Sequence, residues 1–265
     1  MSGSGVNAWG VAASLLLVGV AIAISWRERL GLGRSIAWAA LRAGAQLAAI
    51  GAGLGLVLAD DAPLAWSVLW VAAMVVIGGA TIAHRTPEVP GMLPLATGAL
   101  GLAVACSIGV VFGFSMYALS ARTLVPTAGM LLGNAIASTV LAARRTYAEI
   151  DANRDLVELR LALGWSGADA VRPHLRDALR TANTPQIEQT KIVGLIALPG
   201  TMTGLLLAGV DPVDAVAVQL AVMFLILGSV AITSVIVGGG VARRLITADQ
   251  RLVVPPPGAR GKMGQ

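Results

Sequence analysis

Charge is scarce in this 265-residue chain, where Asp, Glu, Lys and Arg together make up 12%. Cysteine is scarcer still: Cys106 stands alone, which excludes a disulfide scaffold. No G-x-x-x-x-G-K-[ST] loop occurs, so the chain carries no nucleotide-binding engine of its own. The long apolar runs hold no acidic residue, which argues against a proton relay built on buried carboxylates. The last run has no lysine for a retinal Schiff base, and no Ser/His or Glu/His pair shares a membrane depth for intramembrane proteolysis. Cys106 with His84 and His174 does not make a transition-metal site, and no metal ligand is assigned. Basic residues scattered among acids, without an aromatic platform, give nucleic-acid binding no support.

Apolar residues, by contrast, make up 56% of the chain, and mean hydropathy is +0.79. With the 32 glycines added, roughly two thirds is apolar or glycine, against about 45–50% in soluble domains. One soluble core could not bury that surface, so the chain is read as an all-α membrane protein. Seven stretches are long enough to span: Ala8–Ser25, Ser35–Leu58, Pro63–Ala83, Pro94–Leu119, Leu124–Ala143, Ile192–Val210 and Ala215–Val237. Ten-residue alternating segments, the mark of a barrel, are absent.

Orientation follows from the basic residues. With the N-terminus outside, 17 of the 19 lie on the inner side, Arg122 lies outside and Arg42 falls within a span. The chain therefore reads as N-out and C-in, multi-pass in the cell (plasma or inner) membrane. No positive charge precedes the first span, so it is not read as a cleavable signal peptide. Trp9 and Trp26 bracket it at about 25 Å, as interfacial anchors do. The expected organisation is a single permease domain over 1–265, with a cytoplasmic segment at 144–191 and a basic, disordered tail at 244–265.

The segment 144–191 is far longer than any other loop. Glu149 to Leu163 reads as a helix ended by Gly164; Ser166 and Asp169 have capping-box spacing and open a second. Ala170, Val171, His174, Leu175, Ala178 and Leu179 give that second helix an apolar face, and Pro185 is expected to close the hairpin. A solvated loop on the headgroups is the plain alternative, but two amphipathic helices about a glycine hinge suit docking to a partner protein.

Polar residues inside spans are costly and are therefore functional candidates. Arg42 and Gln46, four apart, share a face of the second span. Asn134 lies in the fifth and Gln219 in the seventh. All four are assigned to a translocation pathway. The alternatives are an ion pair, a helix cap or snorkelling for Arg42, and interhelical hydrogen bonds for Asn134 and Gln219. Pro199-Gly200 falls near the middle of the sixth span, where a broken helix suits a gate. Small-xxx-small pairs such as Gly109/Gly113 and Gly200/Gly204 give weaker support for close helix packing.

Four segments carry a family resemblance. Leu41-Arg42-Ala43 with Gln46-Leu47, VPTAGMLLGNAIASTVL (125–141), ELRLALGWSGADAVRPHLRDALR (158–180) and KIVGLIALPGTMTGLLLAGVDPVDAVAVQL (191–220) resemble, in order, motifs of the FetB-like permeases, the membrane subunits of FetAB-type ABC transporters. Trp165 departs from the family's usual Ala. The resemblance implies a helical permease working as a homodimer in the lipid bilayer, exporting iron or another metal ion. A separate cytoplasmic ATP-binding subunit would hold ATP and magnesium, so this chain needs no cofactor and is not itself an enzyme. Glu158, Gly164 and Trp165 would couple to that ATPase, through a Glu…Gly pattern that docks in its cleft. An ATP-independent carrier or channel for a small anionic or neutral solute is the alternative. A scaffold or membrane enzyme would need a catalytic constellation that the sequence does not offer.

Overall fold

The structure is a computed structural model that describes residues 8–57, 63–116, 118–194 and 198–253. Among these the fold is helical: α1 (Ala8–Arg27), α2 (Gly33–Val57), α3 (Leu64–Arg85), α4 (Met92–Gly113), α5 (Ala121–Ala152), α6 (Arg154–Ala162), α7 (Gly167–Ile192), α8 (Gly200–Leu207) and α9 (Pro212–Arg244). Packing divides the chain into two compact units, Met1–Ala62 and Pro63–Gln265.

The first unit is the α1–α2 hairpin. Its turn is closed by the buried Ser25, whose carbonyl accepts from Leu30 N at 2.9 Å and whose hydroxyl accepts from Leu32 N at 3.0 Å. Arg29 and Gly31 both take left-handed backbone in that turn.

The second unit is built on the pair α5–α9. α3 and α4 pack together, with α3 also on α5 and α4 also on α9, while α7 packs against both α5 and α9. α9 buries Ala215, Gln219, Val222, Met223, Ile226, Ser229, Val230, Thr233, Val237 and Val241, the three-and-four spacing of one helical face. α3 and α4 approach closely at Gly79, where a Cβ would lie 3.0 Å from the Cα of Thr97, so only glycine fits. Arg144 of α5 donates from Nε and a terminal nitrogen to the Arg85 carbonyl, at 2.9 and 2.6 Å. A cation thus caps the C-terminus of α3, where the helix dipole and unpaired carbonyls favour it.

Four described helices, α3, α4, α5 and α9, are long and apolar enough to cross a membrane. With 32 and 33 residues, α5 and α9 run about 48–50 Å, beyond the roughly 30 Å of hydrocarbon. The sixth expected span departs most from its reading. Residues 192–210 do not form one helix: α7 ends at Ile192, Val193 is extended, Gly194 is left-handed at φ +86°, and a separate helix, α8, begins at Gly200. Residues 195–197 lie outside the described set. α8, of eight residues, is about 12 Å long. Pro199 is therefore its N-cap and Gly200 its first residue, rather than a break inside a continuous span. That is where a proline, with no N–H to give, costs a helix nothing.

The hairpin is also cut differently. Glu149–Ala152 complete α5, and the break comes at Asn153, whose Nδ2 donates to the Glu149 carbonyl at 2.8 Å and competes for the helical bond. Pro185 does not close the hairpin, because α7 runs on to Ile192. Buried Ala178, Ala182 and Gln186 flank that proline, and packing on α5 and α9 outweighs the one lost hydrogen bond. Of the tail expected to be disordered, residues 245–253 are ordered, tied by an antiparallel bridge between Ile246 and Leu252 and by Val253 N donating to the Leu245 carbonyl at 2.8 Å. Residues 254–265 lie outside the described set. Of the small-xxx-small pairs, Gly109/Gly113 and Gly200/Gly204 face open space among the described residues, whereas in Gly129/Gly133 a Cβ on Gly129 would meet Met74 of α3 at 3.3 Å.

Candidate functional site

Two places in the second unit collect the candidate residues. The first is the turn between α6 and α7. Gly164 takes φ +85°, a conformation that side chains with a Cβ adopt at a cost. Around it Gly164 N donates to the Leu161 carbonyl at 3.0 Å and Trp165 N to the Arg160 carbonyl at 3.1 Å, the paired closure of a Schellman cap. Ser166 then opens α7: its hydroxyl accepts from Asp169 N at 3.2 Å and donates to the Asp169 carboxylate at 2.6 Å. The capping spacing read from the sequence is thus realised in geometry.

Arg160 holds the turn from behind. Its guanidinium lies 5.7 Å from the centroid of the Trp165 ring, donates to the Ala170 carbonyl at 2.9 Å and reaches His174 Nε2 at 3.2 Å. His174 is buried and its pKa lies below its ordinary value of 6.5; burial is the main cause and the Arg160 cation adds to it, against Glu149 and Asp177, which pull it up. The sequence places His174 on the apolar face of the second helix but assigns neither it nor Arg160 a functional role. Their sequence signal, an arginine four residues before the glycine and a histidine on an apolar face, is weak on its own.

The apolar face expected to dock is instead spent internally, since Ala170, Val171, His174 and Ala178 are buried and α7 packs on α5 and α9. The free apolar stripe belongs to α6 and the turn: Leu156, Leu159, Leu163 and Trp165 are 41–70% exposed. Glu158 is exposed on the same short helix, and Gly164 and Trp165 are exposed in the turn that follows it, where they share a surface hollow with Arg172 and Arg176 of α7.

The second place is the helix pair α5–α9. Asn134, on α5 and half-buried, spends its Nδ2 on the Met130 carbonyl at 2.8 Å. Thr201, next to Gly200, reaches the sulfur of the same Met130 at 3.5 Å. Met130 thus joins the start of α8 to the Asn134 turn of α5, bringing Pro199-Gly200 and Asn134 into one neighbourhood. Gln219 on α9 is 4% exposed, and its Oε1 has no hydrogen-bond partner among the described residues. Ser229 and Thr233, below it on α9, satisfy themselves on the carbonyls of Ile226 and Ser229, both at 2.9 Å. Arg42 and Gln46 are both exposed on α2, in the first unit. Among the described residues no group of three or more His, Cys, Asp or Glu converges as a metal site would require.

Comparison with known proteins places the chain among membrane proteins. The family described as "Uncharacterised protein family (UPF0014)" matches residues 8–246. The UPF0014 membrane protein STAR2 of Oryza sativa subsp. japonica is 32% identical over 224 residues, covering 84% of this chain and 78% of that one. The UPF0014 membrane protein YjkA of Bacillus subtilis is 29% identical over 239 residues, 90% of this chain and 95% of its own. The probable iron export permease protein FetB of Escherichia coli is 29% identical over 261 residues, 96% and 98% respectively. No solved structure matches the chain.

Proposed function

The chain belongs to the UPF0014 family of multi-pass membrane proteins, and on that premise we propose that it is the permease subunit of an ABC transporter. It works as a homodimer in the cell membrane, N-out and C-in, crossing seven times per chain, the sixth time through the discontinuous stretch 192–210 that holds α8, and a separate cytoplasmic ATP-binding subunit energises it. Its cargo is iron or another metal ion moving outward, a reading supported by the name of the Escherichia coli relative.

The observation that carries the proposal is the elbow at Gly164. An exposed stripe of Leu156, Leu159, Leu163 and Trp165 is unfavourable in water, and here it sits on a backbone fixed by a Schellman cap and by Arg160. A rigid apolar knob on the helix that also exposes Glu158 is suited to a cleft in a partner protein. Force applied there has a continuous solid path: from the turn into α7, from α7 into α5 and α9, and from Met130 across to Thr201 at the start of α8. Nucleotide binding in the partner would bias one of two arrangements of that path and switch access across the membrane. The donors along the pair α5–α9 are amides, hydroxyls and a thioether, which are weak neutral ligands. They would let a metal complex pass rather than hold a bare cation tightly.

Affinity purification from native membranes tests this. A nucleotide-hydrolysing chain should co-purify with the tagged permease, and Leu163→Asp should lose it without loss of fold. A chain that purifies alone and conducts solute in liposomes by itself would establish the ATP-independent carrier instead.

A further inference from the structure

α7 begins at the docking elbow, and its first amide is satisfied from a distant part of the chain. The N–H of Gly167 donates to the side-chain Oε1 of Gln250, 83 residues away. Gln250 stands in a tight turn that follows α9. Leu245, buried to 1% exposure, ends that helix, and Ile246 bridges back to Leu252. Gln250 N donates to the Thr247 carbonyl at 3.0 Å, Thr247 N to the Arg251 carbonyl at 2.9 Å, and Arg251 N to the Thr247 hydroxyl at 3.1 Å. Gln250 itself has φ +57°, left-handed backbone unusual for a residue with a Cβ. The turn therefore holds the glutamine in a costly conformation, from which its amide meets Gly167. The fit at that meeting point is tight: a Cβ on Gly167 would lie 3.0 Å from Gln250 Oε1 and 2.5 Å from the Cγ2 of Ile246.

Helix starts normally satisfy their own first amides from a neighbouring cap, and Ser166 does so for Asp169 N. Gln250 adds a second, non-local cap that ties the elbow to the end of α9. We propose that Gln250 is a positioning residue: it fastens the α6–α7 elbow to α9, so that displacement of the elbow is delivered to α9 directly and not only through the body of α7. This deepens, and rests on, the reading of the elbow as the ATPase-docking element.

The experiment uses the full chain, with its co-purifying ATPase, in lipid nanodiscs. Cys106→Ser removes the one native thiol, and Val213→Cys, 76% exposed at the far end of α9, reports motion by its rate of maleimide labelling with and without ATP and vanadate. Into this parent go Gln250→Ala, Gln250→Gly and Gln250→Glu. Alanine and glycine both remove the acceptor, and glycine also relieves the left-handed backbone. Glutamate keeps the acceptor. The nucleotide-dependent change in labelling should fall severalfold in Ala and Gly and persist in Glu, with equal ATPase co-purification in all. In the permease alone, the Gly167 amide should exchange about three- to tenfold faster in Ala and Gly, as loss of one hydrogen bond implies. An Ala variant that responds to nucleotide like the parent, or a Glu variant as defective as Ala, overturns the proposal. If no ATPase accompanies even the parent, the docking reading itself fails, and unchanged Gly167 exchange in Ala would then overturn the fastening as well.

Discussion

Arg160 of α6 and His174 of α7 meet at 3.2 Å, the arginine donating to the histidine Nε2. That contact requires His174 to be neutral with Nε2 unprotonated, because an imidazolium has no lone pair to offer. It also makes the elbow's rigidity a matter of protonation. Arg160 faces His174 from α6, Glu149 from α5 and Asp177 from its own helix, so a proton added to the imidazole gains two carboxylates but faces a guanidinium at hydrogen-bonding distance.

The pH dependence follows from the lowered pKa of His174. Above its ordinary value of 6.5 the ring is neutral whether the hairpin is closed or open, and its contribution is fully present. As pH falls below that value the open form takes up a proton and the closed form resists, so stability declines until the pH has passed through the lowered, folded-state pKa. Opening of α6, taken from amide exchange corrected for its intrinsic base-catalysed pH dependence, should be flat at first between pH 8 and 5 and then rise on acidification. His174→Gln, whose amide oxygen still accepts from Arg160, should remove the rise. A rise of equal size in the Gln variant would locate the titration elsewhere.

Gly164→Ala tests the cap. Its φ of +85° places a Cβ in a region that costs about 1–2 kcal/mol, with open space around it and therefore no clash to add. The variant should keep α5, α7 and α9 intact while local exchange across Leu163–Ser166 rises about tenfold, and ATPase association should weaken with it. Gly164→Asn, which tolerates left-handed backbone better, should fall between. An unchanged Ala variant would show that the turn is not under this constraint.

Much of this was legible in the residues because the deciding forces were local. Gly164 after an amphipathic run, and Ser166 three before Asp169, specify a helix stop and a helix start wherever the chain goes. Where the reading missed, tertiary packing had overruled local rules. Pro185 should end a helix, yet Ala178, Ala182 and Gln186 are buried beside it and hold α7 together. The apolar face of α7 was visible, but not that α5 and α9 already cover it. Hydropathy marked 192–210 as one span, and a window average cannot register that Gly194 turns left-handed and that Pro199 starts a new helix. Long-range pairs such as Arg160–His174, Arg144–Arg85 and Gly167–Gln250 have no local signature.

Leu163→Asp separates docking from folding. The side chain is 70% exposed, so its replacement should change stability by no more than about 0.5 kcal/mol. Burying an aspartate in an apolar cleft of a partner, by contrast, should abolish association in a pull-down while the permease elutes normally from a sizing column. Leu175→Asp is the counter-case, since that residue lies half-buried on the face of α7 turned toward α9 and should unfold the hairpin. If Leu163→Asp still captures the ATPase at wild-type yield, the exposed stripe is not the docking surface.

Gln219→Leu asks whether a buried amide is kept for stability or for transport. Its Oε1 is buried on α9 with no partner among the described residues, and an unsatisfied buried polar atom costs about 1–3 kcal/mol. Leucine of similar volume removes that cost, so the variant should melt at an equal or higher temperature in detergent. If the amide serves passing cargo, metal efflux from loaded cells expressing the variant should fall at the same time. A variant more stable and less active would mark Gln219 as a residue retained against stability. One that loses stability would show that the oxygen finds a partner in the folded protein and that its role is structural.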